Sequence, residues 1–174
     1  MKRNIFVIIM MLLAVVGCHR NTKTSEADVK KAEAALFNED MTANDEAVPA
    51  AIEAFSKYAE ENPEATNAAE YLFKAFEVSI NTKQDPMQSI DFGERLLKDY
   101  PKFDKNDVVL FMLATFVYDE QLHDLDKARE CYQQVIDNYP QSPFADDAAI
   151  SIKHLGMSPE ELIKMFEEQT PSDK

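Results

Sequence analysis

The sequence predicts an all-α protein built as a solenoid of stacked helix pairs, and three observations carry that prediction. A thirteen-residue pattern occurs three times without a gap, as Ala51–Pro63, Ser89–Pro101 and Ala128–Pro140. The closing prolines lie 38 and then 39 residues apart, and a fixed period in that range marks an array whose units bury their faces on one another. Three glycines in 174 residues, with almost no alternating β-branched runs, leave little room for sheet.

Each copy reads as the end of a helix. A small residue (Ala51, Ser89, Ala128) lets a neighbouring helix come close, and apolar residues follow at helical spacing, so that Ala128, Tyr132, Val135 and Ile136 share one face. Proline lacks an amide hydrogen and pushes the preceding residue out of helical geometry, which makes Asn62, Tyr100 and Tyr139 last-turn or linker residues.

Taken in order, residues 1–17 read as an export signal. Lys2 and Arg3 precede twelve apolar residues, Ile5 to Val16, a run too short for a spanning helix, which needs about 20. Residues 18–24 are a cysteine followed by a polar tether, 25–170 a helical domain of seven or eight helices, and 171–174 a frayed end. Ser25 to Asp28 has capping-box character and opens a first helix to about Asn38, with Ala32, Leu36 and Phe37 on its apolar face. Residues 41–47 are a loop, and Pro49 fits only in the first turn of a second helix that begins near Val48. The third helix is expected over 66–81, and the fourth starts with Asp85 as cap and Pro86 at its first position. The fifth covers 107–122, and Asp124 caps the sixth. Ser142 and Pro143 begin the seventh, which Gly156 ends, and a second capping box, Ser158 to Glu161, opens the eighth.

Two resemblances follow from these residues. The small position, an aromatic four residues later (Phe55, Tyr132) and the proline eight further on resemble the second helix of a tetratricopeptide repeat, although Gly93 stands at the aromatic position of the middle copy. Phe111, Ala114, Thr115 and Tyr118 fill the first-helix positions of that family if the turn carries one extra residue, and in the middle copy Leu72, Ala75, Phe76 and Ser79 fill them. The segment 139–148 is also similar to repeats of bacterial envelope proteins such as the barrel-assembly lipoprotein and the cell-division coordinator of the Tol-Pal system. The resemblance covers about residues 45–155 and implies a right-handed solenoid. Val15-Val16-Gly17-Cys18, in turn, resembles a bacterial lipobox. That implies diacylglycerol on the Cys18 thiol, removal of the signal and acylation of the new terminus. Three acyl chains make attachment effectively permanent, since one alone is marginal. His19 rather than Asp after the cysteine implies the outer membrane, with the domain facing the periplasm.

Once Lys2 and Arg3 leave with the signal, sixteen Lys and Arg oppose thirty-two Asp and Glu. A net charge of −16 argues against nucleic acid as a partner. Cys131 is then the one remaining thiol, expected to be buried and inert, and the three histidines (His19, His123, His154) have no metal-site spacing. With no nucleophile elbow, phosphate loop or metal-binding helix, the sequence implies neither an enzyme nor a cofactor. The stretch 108–118 is apolar around nearly its whole circumference and must be covered on several sides. Either it is the central helix of the core, or one side lines the concave groove that first helices form in tetratricopeptide arrays. In the second case the groove shows Phe73 and Glu77 from helix three with Val109, Met112, Phe116 and Asp119 from helix five, an apolar floor with acidic edges. The functional expectation is a membrane-anchored adaptor that binds a protein or peptide of the cell envelope. The alternative is a structural subunit whose groove is filled by its own helices or by a second copy.

Overall fold

The computed structural model describes residues 23–83 and 85–169. The expected signal, Cys18, the first part of the tether and the frayed end therefore lie outside the described residues. Eight helices follow one another: α1 (Glu26–Ala35), α2 (Val48–Glu61), α3 (Ala68–Thr82), α4 (Pro86–Asp99), α5 (Asn106–Met112), α6 (Leu125–Asn138), α7 (Phe144–His154) and α8 (Pro159–Gln169). Each of the first seven packs on its neighbour in sequence, as stacked helix pairs require, and no strand occurs among the described residues.

The helix starts are set by side chains that take up orphan amide hydrogens. Asp85 accepts from Met87 and Gln88 with Pro86 at the first position, Asp124 accepts from Lys127, and both capping boxes close, Ser25 with Asp28 and Ser158 with Glu161. Helix α7 starts one residue later than expected, because the Ser142 hydroxyl accepts from the Phe144 amide and donates to Asp107 at the head of α5. Helix α1 ends three residues early. Phe37 lies beyond it, bridged to Ala43 and 53 % exposed, so it does not belong to the apolar face, and residues 45–47 form a 3-10 turn rather than open loop.

The small positions do what close packing asks of them. Ala51, Ser89 and Ala128 are all buried, as are Phe55 and Tyr132 at the aromatic position. Gly93 makes room for its neighbour: a Cβ there would sit 2.8 Å from Cδ1 of Leu113. Only α8 stands apart, since none of its residues 159–168 is buried and Ile163 is 58 % exposed.

Helix α5 does not stop at Met112. It widens into a π-helical segment, Leu113–Asp119, in which the Glu120 and Leu122 amides reach back five residues to Thr115 and Val117. Thr115 sits at the change of pitch. Its hydroxyl donates to the Phe111 carbonyl one turn back, a bond that competes with the regular ladder, and it also meets the Tyr132 hydroxyl at 2.9 Å. Phe111 and Thr115 both reach Tyr132 of α6.

Candidate functional site

The expected groove residues separate into two groups. Phe73 is 3 % exposed and Val109 fully buried, so neither floors an open groove; both belong to the core. Phe73 is covered by the turn after α4: its ring lies 5.7 Å from Phe103, and the Lys105 ammonium sits 4.9 Å above its centroid while bonding Glu70 at 2.8 Å. Val109 faces inward with Leu110, Leu113, Ala114 and Val117, so the partly open side of α5 begins one residue earlier, at Val108.

Glu77, Met112, Phe116 and Asp119 form the second group, all half-buried. Val108, Met112 and Phe116 recur every four residues along a helix that widens after Met112, so one strip keeps partial exposure across the change of pitch. Glu77 lies on α3 and has no hydrogen-bond or ion-pair partner among the described residues. Burial pushes its carboxyl above the usual carboxylate range, opposed by the nearby Lys105 and Lys74 ammonium groups. A carboxylate kept half out of water without a partner gains from meeting a cation. The charged residues around it are already paired, Lys74 with Glu33 of α1 and Lys105 with Glu70.

Cys131 sits apart from these residues, beside a cavity of about 340 Å³ between α4 and α6 that Leu97, Tyr118, Lys127 and Glu130 help to line. Burial, with Glu130 adding to it, pushes its thiol up to about 11, so it is unreactive near neutral pH.

The helix pair with the widened turn decides the comparison with known proteins. Residues 109–142 match the tetratricopeptide repeat model. The match spans most of α5 and all of α6, and the all-α stack of pairs around it has the same architecture. Repeats of this family generally mediate protein–protein binding, and the half-buried Met112 and Phe116 lie on the first helix of the matched repeat. No match was found among curated proteins or among solved structures.

Sequence reasoning missed Val108 by one residue and missed the cover over Phe73 altogether. The first had a signal, the one-residue misfit of the repeat register. The second had none in local periodicity, because Phe103 and Lys105 come from a turn thirty residues downstream of Phe73.

Proposed function

We propose that this protein is an adaptor lipid-anchored through Cys18 to the outer membrane, on its periplasmic side, and that it captures a protein or peptide partner of the cell envelope. The observation that carries the reading is the repeat at 109–142 whose first helix leaves Met112 and Phe116 half-open instead of sealing them in the core. Aromatic residues with a flexible methionine suit the few buried anchors on which recognition depends. The unpaired Glu77, with Asp119, favours a partner carrying Lys or Arg beside its apolar residues and speeds its approach at low salt.

Affinity purification of the full-length protein through a C-terminal tag, from solubilised envelopes, tests the reading. A discrete partner that elutes in fixed ratio is expected, and its retention weakens when salt is raised. Recovery of the protein as its own oligomer, with no second chain, sinks the adaptor and leaves the structural subunit. The anchor is tested separately: Cys18→Ala is expected to move the protein from the membrane to the soluble fraction, and sedimentation with membranes after a salt wash would contradict it.

A further inference from the structure

Antiparallel pairing sorts the interhelical turns onto two edges of the stack, and the contacts between turns show each edge to be continuous. On one edge lie the turns from one pair to the next. Tyr100 donates to the Ala59 carbonyl, Lys105 pairs with Glu70, and Ser142 bonds Asp107. On the other lie the turns within pairs. Phe37, Asn44 and Asp45 border one cavity with Asn81 and Thr82, and Lys83 pairs with Glu120 at 3.1 Å.

The first described residues join one of these edges. The Lys23 ammonium donates to the Glu61 carbonyl at 2.8 Å, the Thr24 amide donates to the Glu61 carboxylate, and Asn62 donates to the Thr24 carbonyl at 3.2 Å. Residues 23 and 24, expected to be free tether, are thus fastened to the end of α2, on the edge of the pair-to-pair turns. The two edges also differ in charge. Within pairs, the turn 36–47 carries Glu39, Asp40, Asp45 and Glu46 without a cation, 83–85 carries Lys83 against Asp85, and 119–126 carries four more carboxylates, of which Glu120 pairs with Lys83. Between pairs, 62–67 carries Glu64 alone, 100–105 carries Lys102 and Lys105 against Asp104, and 139–143 carries no charge.

We infer that the protein stands on its membrane on the pair-to-pair edge, with the helices upright and the acidic within-pair edge pointing away; this rests on acylation at Cys18. Five residue steps separate Cys18 from Lys23, a reach of at most about 18 Å, so the fastened edge cannot lie far from the headgroups. The opposite edge stands about 20 Å further out, the length of the 14-residue α2 at about 1.5 Å per residue. Anionic headgroups repel carboxylates over a Debye length of about 8–10 Å, and they tolerate a turn edge on which Lys23, Lys102 and Lys105 offset Glu64 and Asp104 better than one on which the carboxylates of the within-pair turns face Lys83 alone. Upright helices leave the strip at Met112 and Phe116 facing sideways, parallel to the bilayer, open to a partner that is itself membrane-bound.

Energy transfer from labelled protein to headgroup-labelled lipid tests the orientation, using the lipidated full-length chain in vesicles containing phosphatidylglycerol. Single cysteines are introduced at exposed positions, Lys102→Cys and Gln141→Cys on the inner edge, Glu39→Cys and Asp126→Cys on the outer. Cys131, with its thiol at about 11, stays unlabelled at neutral pH. Transfer several-fold greater from the inner pair is expected. Equal transfer from both pairs, or more from the outer, in protein that floats with the vesicles overturns the orientation alone. Protein that fails to float removes the anchor, and the orientation with it.

Discussion

The α3–α4 and α5–α6 pairs are copies of one unit, and they differ inside the first helix rather than at the turn. In both pairs the chain turns through a residue held in left-handed conformation at φ 53°, Lys83 and His123, and re-enters at an aspartate cap, Asp85 and Asp124. What α5–α6 adds is the π-helical turn from Leu113 to Asp119 inside its first helix, where α3 stays α-helical to Thr82. The interfaces differ to match. Between α3 and α4 two small hydroxyls, Ser79 and Ser89, meet at 2.9 Å in the core, whereas Tyr132 of α6 meets Phe111 edge-on, ring centroids 5.5 Å apart, and bonds Thr115. The aromatic that α4 lacks at Gly93 is replaced from outside by Leu113 of the next pair. A repeat position is therefore defined by the volume to be filled, not by the residue that fills it.

That comparison can be broken most severely by removing what covers the second pair. Deleting residues 142–174 strips Phe144 and Ala148 from Phe111, Tyr132 and Val135. At about 1.5–3 kcal/mol for each large side chain this takes several kcal/mol from a typical total of about 5–15, and thermal unfolding is expected to show a collapsed midpoint or aggregation. Deleting only 157–174 removes α8, in which Leu162 and Met165 are half-buried and no residue of 159–168 is fully buried, and the midpoint is expected to move less. Equal losses from the two deletions would mean that α8, not α7, caps the stack.

Tyr132→Ala is expected to cost about 3–5 kcal/mol in denaturant unfolding, a large aromatic lost from a closed interface. The reciprocal change, Gly93→Ala, forces a methyl against Leu113 and is expected to cost about 1–3 kcal/mol. Combining it with Leu113→Ala should be less damaging than the sum of the two, since each relieves the other. Strict additivity would show that Leu113 does not stand in for the missing aromatic.

The smallest effect concerns Glu77. Burial raises its folded pKa, so folding favours the protonated form; the ionised carboxylate subtracts from stability above its ordinary range, and that penalty fades as pH falls through the raised value. Glu77→Gln is therefore expected to raise the midpoint by about a degree or two near neutral pH, with the gap closing in acid. A gap that widens in acid would show that Glu77 is held by a favourable partner.

How much of this was legible in sequence depends on how far apart the determining residues lie. The caps at Ser25, Asp85, Asp124 and Ser158 were readable because each acts within one turn of itself. So were the small positions and the buried Cys131, which follow from the repeat. Phe37 was misplaced because periodicity continues past the point where the backbone turns away at Leu36. Phe73 reads as groove floor in the sequence because its cover, Phe103 and Lys105, arrives from another turn. At Val109 the stretch 108–118 offers apolar residues on every side, and only packing against α4, α6 and α7 decides which faces stay open.

The claim that the strip on α5 captures a partner is tested most directly by Phe116→Glu, assayed for helicity by circular dichroism and for partner retention in the same preparation. Phe116 is half-buried, and the account predicts unchanged helicity with partner retention lost. Helicity that collapses would place Phe116 in the core, where an introduced carboxylate has no partner. Intact helicity with undiminished retention would contradict the account outright and move the binding surface elsewhere on the stack.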